Sequence, residues 1–262
     1  MLSMNILQIY MIMNDTKVAL ITGAAKRIGA CIAEKFHANN YQVIIHYNHS
    51  SDAALELVNR LNHVRSDSAS AIQANLTNSA DVDALANQVI SFVGRLDTLV
   101  NNASSFYDST IGEVDDDHWN DLIDSNLRAA FFLSQALNPL LSKHSGSIVN
   151  IVDTHGDKPL KGYAVYSIAK AGLKALTKAL ATDLAPKIRV NGVSPGAIIW
   201  PARLENEKDE TVKLAREMIL QKIPLGRLGE MQNIADTCFF LAEEGRYITG
   251  QVIRVDGGRY LA

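Results

Sequence analysis

Tyr166 and Lys170 stand four residues apart at the start of a strongly helical pattern, "YSIAKAGLKAL". At this spacing both side chains project from one face of a helix, about one turn apart. A cation beside a phenol stabilises the phenolate and lowers the pKa of the tyrosine, so the phenol gives or takes a proton nearer neutral pH. The pair therefore predicts proton transfer as the chemistry of this segment.

A second candidate site is the glycine-containing turn in "VALITGAAKRIGACIAEKF". Gly23 and Gly29 lie between a strand pattern and a helix start, where small residues let backbone amides approach a pyrophosphate. Arg27 stands where the three-glycine form of this turn has its middle glycine. The guanidinium of Arg27 and the ammonium of Lys26 are suited to phosphate oxygens. The turn predicts nucleotide binding.

The end of the second strand pattern bears on which nucleotide binds. NAD enzymes of this architecture tend to place an acid there for the ribose 2′-hydroxyl, and none is present until Asp52. We therefore expect NADP(H), with Lys26 and Arg27 as nearby positive charge. Asn75 and Leu76 close the third strand pattern, where an adenine would rest. The polar donors expected near the 2′-phosphate are His46, Tyr47, Asn48, His49 and Ser50.

These residues need a parallel sheet to bring them together. Short β-branched runs alternate with longer amphipathic segments, which is typical of βαβ units. We expect an α/β fold: a single Rossmann-type, doubly wound domain with a seven-stranded parallel sheet and helices on both faces. Helical patterns are predicted at 27–39, 52–62, 79–94, 117–143, 166–185 and 231–244. Strands are predicted at 17–22, 41–47, 70–74, 97–102, 146–152, 188–194 and 251–257.

The predicted domain covers residues 17–262, after an N-terminal extension at 1–16. Residues 195–230 form the least regular segment, with a charged helical centre between prolines, and predict a flap over the site or a surface insertion.

Composition excludes several classes of protein. The 262 residues are 47% hydrophobic and 20% charged, with a net charge of -3, so no basic surface for nucleic acid is expected. Charges interrupt every apolar run, which argues against a membrane span. The histidines lack paired metal-ligand spacing, so we expect no metal site. The distant cysteines Cys31 and Cys238 suit reduced thiols in a cytoplasmic protein.

The chain resembles the short-chain dehydrogenase/reductase family over about residues 17–258. The motifs that carry the resemblance are Thr22–Gly23, "NNAS" from Asn101, Asn126, Tyr166 with Lys170, "PG" at 195–196 and "VDGG" from Val255. The resemblance implies hydride transfer from NAD(P)H, with Tyr166 as acid, Lys170 as modulator of its pKa and ribose ligand, and Asn126 holding a relay water. It also implies that the cofactor contacts Ile28, Asn102, Ala103, Ser104, Pro195 and Gly196.

Most family members carry a serine thirteen residues before that tyrosine, and this chain has Asp153. A carboxylate disfavours a developing alkoxide, whereas a protonated carboxyl group can donate to a ring nitrogen, so the replacement favours reduction of a C=N bond. The same replacement resembles the pteridine reductase branch, as do "TGAAKRIG", "HYNHS" and "NNASSFY". This resemblance implies that Phe106 stacks on a pterin, that Ser104 and Arg27 bind its polar edge, and that Asp153 and Tyr166 supply protons.

Two other functions stay open. One is a carbonyl reductase such as a 3-oxoacyl carrier-protein reductase, which the family frame and "IPLGRLGE" also fit. The other is a cofactor-binding regulator without turnover. The pterin head alone does not rank dihydrobiopterin, dihydromonapterin and dihydrofolate as substrates. By analogy with the family we expect a homotetramer that pairs the long fourth and fifth helices.

Overall fold

The protein is described from a computed structural model, which covers residues 16–200, 204 and 209–262. The predicted extension at 1–16 lies outside the described residues except for Thr16. Of the predicted flap, 201–203 and 205–208 also lie outside them.

Seven parallel strands form one sheet in the order β3-β2-β1-β4-β5-β6-β7. This confirms the predicted α/β class, and each strand ends within two residues of its predicted bounds. The strands are β1 (Val18–Ile21), β2 (Gln42–Tyr47), β3 (Ala69–Gln73), β4 (Thr98–Asn101), β5 (Ser147–Ile151), β6 (Arg189–Pro195) and β7 (Val252–Val255).

The strand order reverses beside β1, which pairs with β2 on one side and β4 on the other. In open parallel sheets, ligands bind outside the carboxyl ends of the strands at such a reversal. The fold therefore directs attention to the loops that follow these strands.

Helices cover both faces of the sheet. They are α1 (Arg27–Ala38), α2 (Ser51–Val64), α3 (Ser79–Gln88), α4 (Asp116–Ile123), α5 (Ala129–Lys143), α6 (Ala164–Asp183), α7 (Glu210–Leu220) and α8 (Met231–Phe239). Among the described residues, no helix has the length and apolar character needed to cross a membrane.

The core lies in two layers because successive strand residues point to opposite faces. On one side, Ala19 and Ile21 of β1 pack with α1, α2 and α8. On the other side, Val18 and Leu20 pack with α3 and α5. Both faces of the sheet are therefore buried, which is why each strand is a continuous apolar run in the sequence.

The packing of α1 on α8 joins distant parts of the chain. The ring of Phe36 lies edge-on to Phe239 at 5.4 Å and to Tyr41 at 5.0 Å. Lys35 pairs with Asp236 at 2.7 Å beside this contact. The helix that follows the glycine turn is thus anchored by residues from the far end of the domain.

The predicted helix at 117–143 is interrupted, which corrects the prediction of one continuous helix. A π-helical turn, Asp124–Arg128, separates α4 from α5. It contains Asn126, whose side-chain amide donates to the carbonyl of Leu122 at 3.0 Å. In an α-helix that carbonyl would accept from the backbone N–H four residues later, so the side chain takes over a helical acceptor.

Candidate active site

The glycine turn after β1 is packed too closely for side chains. Gly23 has a φ of +60°, and a Cβ there would lie 2.9 Å from the Cα of Ala103. A Cβ on Gly29 would lie 2.4 Å from the carbonyl oxygen of Gly23. The turn needs glycine at both positions, as a site for close backbone approach to phosphate requires.

The loop after β4 holds this turn in place. The side-chain amide of Asn102 donates to the carbonyls of Thr22 at 2.8 Å and Gly23 at 3.1 Å. The hydroxyl of Thr22 accepts from the backbone N–H groups of Asn102 at 2.9 Å and Ala103 at 3.0 Å. Asn102, predicted from the family as a cofactor contact, supports the turn through its side chain.

His46, predicted to bind the cofactor, also supports the turn from below. Its Nδ1 accepts from the backbone N–H of Gly23 at 3.0 Å, so Nε2 carries the proton and donates to the carbonyl of Ala74 at 3.1 Å. Burial lowers the pKa of His46 to about 4, opposed by the bond to Ala74. The ring is therefore neutral near pH 7 and contributes no positive charge to a phosphate site.

Arg27 begins α1 in a conformation that glycine usually takes. Its φ is +53°, in the left-handed region. Arg27 therefore places a side chain at the position where the three-glycine form of the turn has a glycine. Lys26 precedes it in extended conformation at the helix N-cap. Two cations therefore stand at a helix N-terminus, where the helix dipole also favours an anion.

A cleft of about 520 Å³ opens at the carboxyl ends of β1 to β4. Phe106 lies at its edge and is 53% exposed. Eleven residues predicted to bind the cofactor line the cleft: Gly23, Lys26, Arg27, Ile28, His46, Asn48, Asn75, Leu76, Asn102, Ala103 and Ser104.

Other predicted cofactor residues do not line this cleft. Tyr47 ends β2, and Ser50 is the N-cap of α2 without a side-chain cap bond. His49 lies exposed between them. Pro195 ends β6, and the N–H of Gly196 donates to Val255 at 3.0 Å.

Tyr166 and Asp153 form a direct pair next to the cleft. The phenol hydroxyl donates to Oδ2 of Asp153 at 2.8 Å. The other carboxylate oxygen, Oδ1, accepts from the backbone N–H of His155 at 2.8 Å. Asp153 is therefore oriented by its own loop while its second oxygen faces Tyr166.

Lys170 lies behind this pair, one helical turn along α6. Its Nζ donates to the carbonyl of Ile151 at 3.0 Å and lies 5.6 Å from the centre of the Tyr166 ring. Burial lowers the pKa of Lys170 to about 8, while the charge of Asp153 acts in the opposite direction. Lys170 is thus placed to influence the tyrosine, as its spacing predicted.

The pKa of Tyr166 moves against the simple expectation from its neighbour lysine. Burial raises it most, and the charge and hydrogen bond of Asp153 raise it further, whereas a hydrogen bond with Ser104 lowers it. The phenol therefore holds its proton in this arrangement. The sequence predicted a lowered pKa because the effect of Asp153 on the tyrosine was visible only in three dimensions.

Asn126 connects the π-helical turn to the cleft. It is 1% exposed, and its Oδ1 accepts from the Ser104 hydroxyl at 2.6 Å. Its amide donates to the carbonyl of Ser105 at 2.9 Å. The loop that carries Ser104 and Phe106 is therefore fixed by Asn126.

Phe106 links the cleft with the pair of Tyr166 and Asp153. Its ring stacks on Tyr163 with centroids 4.8 Å apart and planes at 15°. The same ring lies edge-on to Tyr166, also at 4.8 Å. Asp153, Tyr166 and Phe106, which the sequence assigned to the substrate, therefore lie within one connected group.

A family model described as enoyl-(acyl carrier protein) reductase matches residues 23–259, most of the chain. The chain belongs to the short-chain dehydrogenase/reductase family. It is an oxidoreductase of that family. The family motifs in this chain include the glycine turn, Asn126, Tyr166 and Lys170.

Relatives with two different names match this short-chain reductase over nearly its whole length. The 3-oxoacyl-[acyl-carrier-protein] reductase FabG of Staphylococcus aureus is 38% identical over 252 residues, 95% of this chain and 100% of the relative. A 3-oxoacyl-[acyl-carrier-protein] reductase of Synechocystis is 38% identical over 246 residues, 92% of this chain and 96% of the relative. Pteridine reductase 1 of Leishmania tarentolae is 36% identical over a gapped alignment of 282 positions, which covers 92% of this chain and 95% of the relative.

Several residues at this site were not predicted from the sequence. Tyr163, stacked on Phe106, gave no signal beyond lying three residues before Tyr166. Thr77 directly follows the predicted pair at the end of β3, so extending that prediction by one residue would have found it. The cleft lining that was not predicted comprises Thr77, Ser105, Asp121, Ser125 and Ile199.

The residues fit a nicotinamide dinucleotide. The glycine turn lines the cleft, and the two cations at the start of α1 provide charge for phosphate. Among the described residues, no group of three or more His, Cys, Asp or Glu is placed to hold a metal ion. Chemically, the arrangement combines a dinucleotide cleft with a paired phenol and carboxyl group that can move a proton.

Proposed function

We propose that the protein reduces dihydropterins to their tetrahydro forms with NADPH. The substrates in this proposal are dihydrobiopterin, dihydromonapterin or dihydrofolate. The observation that carries it is the 2.8 Å hydrogen bond between the Tyr166 hydroxyl and Asp153. A carboxyl group at this position suits protonation of a ring nitrogen better than stabilisation of an alkoxide.

When bound, the reduced nicotinamide supplies the hydride. Lys26 and Arg27 support a preference for the 2′-phosphate of NADPH, because both line the cleft. Across the cleft, the Asn48 amide donates to Oδ1 of Asn75 at 3.4 Å, so the ends of β2 and β3 provide polar atoms for the ribose and adenine. His46 acts by holding the turn, and its neutral ring leaves the positive charge to Lys26 and Arg27.

Tyr166 and Asp153 form the proton-donating pair for the substrate nitrogen in this proposal. Reduction of a C=N bond adds one proton to nitrogen, and the phenol retains its proton beside the carboxylate. Lys170, buried behind the ring with its Nζ 5.6 Å from the ring centre, is placed to act on the phenol electrostatically. Asn126 holds the Ser104 loop at the edge of the same site.

Phe106 provides a flat surface for a heteroaromatic ring. It lies at the edge of the cleft and touches Tyr166, so a pterin stacked on it would have a ring nitrogen near the proton donors. Ser104 and Arg27, which also line the cleft, provide polar groups for the edge of the ring.

The flap remains part of the proposal. Ile199 lines the cleft, and the guanidinium of Arg216 on α7 lies 4.8 Å from the centre of the Trp200 ring. These contacts support a covering role for the segment at 195–230, within a single domain at 17–262.

A 3-oxoacyl-[acyl-carrier-protein] reductase is the second candidate, favoured by the identities of 38% to relatives of that name. Both candidates share the dinucleotide turn and Tyr166. They differ in the reacting group, a ring C=N bond or a ketone, and Asp153 favours the first.

The decisive experiment follows the loss of absorbance of reduced nicotinamide with dihydrobiopterin, dihydromonapterin, dihydrofolate and an acetoacetyl thioester in parallel. Each substrate is tested with NADPH and with NADH. We expect turnover with the pterins, faster with NADPH, and little with the thioester. Tyr166→Phe is the control for catalysis at this site and should abolish turnover without abolishing NADPH binding.

Turnover with the thioester alone would overturn the pterin proposal and leave a carbonyl reductase. Tight NADPH binding with no turnover of any substrate would identify a cofactor-binding regulator instead.

A further inference from the structure

The chain beyond β7 returns to the loop that carries Asp153. Residues Arg259–Leu261 form a short 3₁₀ turn, here called the Tyr260 turn. The Nζ of Lys158 donates to the carbonyl of Tyr260 at 2.6 Å and to that of Ala262 at 3.2 Å. The Tyr260 turn is therefore bonded to a residue five positions after Asp153.

The ring of Tyr260 contacts two cations. The guanidinium of Arg254 on β7 lies 3.7 Å from the centre of the ring, and the Nζ of Lys158 lies 4.9 Å from it. Both distances are in the range of cation–π attraction. Asp256 fixes the turn from the other side, accepting from the N–H of Tyr260 at 2.9 Å.

Arg254 also reaches the Asp153 loop through Asp157. Its guanidinium lies 3.0 Å from Oδ2 of Asp157, whose other oxygen pairs with Lys174 of α6. Burial acts to raise the pKa of Asp157, but the hydrogen bonds from Lys174 and Arg254 hold it below its ordinary value. Asp157 thus joins β7, the loop and the helix that carries Tyr166.

The loop between these contacts is tightly built. The carbonyl of Asp153 accepts from the N–H of Gly156 at 3.0 Å, and that of Thr154 accepts from Lys158 at 2.9 Å. A Cβ on Gly156 would lie 3.0 Å from the backbone of Lys170 and Ala171. The loop 154–158 is therefore held between α6 on one side and the Tyr260 turn on the other.

We propose that Tyr260 is a positioning residue for Asp153. By holding Lys158 and Arg254, its ring keeps the loop against α6, so that the Asp153 carboxyl group stays at hydrogen-bond distance from the Tyr166 hydroxyl. The inference rests on the proposed function only in taking the Asp153–Tyr166 pair as the proton-transferring site. Tyr260 acts through the ring face and its backbone and touches neither reacting group.

Three variants test this role: Tyr260→Ala, Tyr260→Phe and Tyr247→Ala. Tyr260→Ala removes the ring that contacts the cations, whereas Tyr260→Phe keeps it without the hydroxyl. Tyr247, fully exposed at 105%, is the matched control for loss of a tyrosine near the same end of the chain.

We expect Tyr260→Ala to lower kcat about three- to tenfold, since small displacements of a catalytic group are costly, and to leave KM for NADPH within about twofold. Tyr260→Phe should restore kcat to near the wild-type value, and Tyr247→Ala should not change it. The assay uses whichever of the pterins or the thioester the wild-type enzyme reduces. An unchanged kcat in Tyr260→Ala, or a loss in Tyr260→Phe equal to that in Tyr260→Ala, would overturn the proposal.

Hydrogen exchange gives a readout that needs no substrate. The amides at 155–158 should exchange faster in Tyr260→Ala than in Tyr260→Phe, while those of β1 and α1 stay unchanged. Lys158→Met, a change at an exposed position, serves as the second variant if Tyr260→Ala does not fold, and should accelerate the same amides. Faster exchange there without pterin turnover would sustain the positioning role and reject the pterin substrate, whereas unchanged exchange would reject the positioning role.

Discussion

Asp153 adds to the effect of burial in keeping its neighbour, Tyr166, protonated. Its carboxyl group accepts the phenol hydrogen of Tyr166 and contributes to the raised pKa of that tyrosine. A serine at this position would donate a hydrogen bond but carry no charge. The residue type therefore bears on which substrate atom the site can protonate.

Replacement of this carboxyl group should separate chemistry from cofactor binding. We predict that Asp153→Asn lowers kcat for dihydropterin about a hundredfold, because it removes the carboxylate that accepts the Tyr166 hydroxyl hydrogen but retains an acceptor for the His155 N–H. The dissociation constant for NADPH, measured by fluorescence titration, should change less than about twofold. Equal kcat values for the variant and the wild type would assign Asp153 a structural role only.

His46 should make stability depend on pH. Its pKa is about 4 in the folded chain and 6.5 in the reference state, so from pH 6.5 down to 4 the unfolded chain binds a proton that the folded chain does not. The free energy of unfolding should therefore fall on acidification through that window, by about 3 kcal/mol at most, and stop responding to His46 below it.

His46→Gln tests this assignment, since an amide can accept from Gly23 and donate to Ala74 without titrating. Denaturant unfolding between about pH 4 and about pH 7, a range that spans the window set by this histidine, should show a shallower pH dependence in the variant. His63→Gln, at an exposed position on α2, should keep the wild-type slope. Some slope will persist in both, because burial also lowers the pKa values of His37 and His144.

The positions of these residues were predictable from the sequence, but their hydrogen-bond partners were not. Asp153, Tyr166 and Lys170 were found because their spacing places them after one strand and on one helical face. The support of the glycine turn by His46 was not predictable, because it depends on a carbonyl that β3 brings alongside β2. Local pattern shows which residues follow a strand, and tertiary packing decides which of them face the cleft.

At the scale of elements, the strands were predictable because both faces of a parallel sheet are buried and each strand becomes an unbroken apolar run. The π-helical turn at Asp124–Arg128 was not, since one extra residue barely disturbs the apolar periodicity of a long helix. That turn nevertheless places Asn126 where it reaches both Ser104 and Ser105.

The contact between α1 and the glycine turn leaves no space for a side-chain methyl group at Gly29. Gly29→Ala should destabilise the fold by about 1–3 kcal/mol and weaken NADPH binding, because the new Cβ meets the backbone of Gly23. Gly172→Ala is the matched control in α6, where the added Cβ meets only the flexible tip of Leu127. Thermal unfolding and NADPH titration of both variants test this, and equal losses would show that the turn can relax.

At the scale of the whole molecule, exposed apolar side chains favour assembly. On α5, Phe131 and Phe132 are each 39% exposed and contact one another edge-on, and Ile168 on α6 is 51% exposed. Exposed apolar side chains that contact one another, as Phe131 and Phe132 do, are typical of interfaces. It supports the proposal of a homotetramer that pairs the helices predicted at 117–143 and 166–185, which overlap α5 and α6.

Light scattering tests the assembly. We predict a particle of four 28.6 kDa chains, and a smaller one for Phe131→Glu, which places a charge on the apolar patch. Val64→Glu, at an exposed apolar position on α2, should leave the mass unchanged. A monomeric wild-type protein would reject the tetramer.

The packing of α1 on α8 also has a consequence for synthesis on the ribosome. Phe36 is complete early, but its partner Phe239 is translated about 200 residues later. At about 5–20 residues per second, the apolar face of α1 waits roughly 10–40 seconds for its cover. The nascent chain is therefore exposed to aggregation and to chaperone capture over most of its translation, and the dinucleotide cleft matures only at the end.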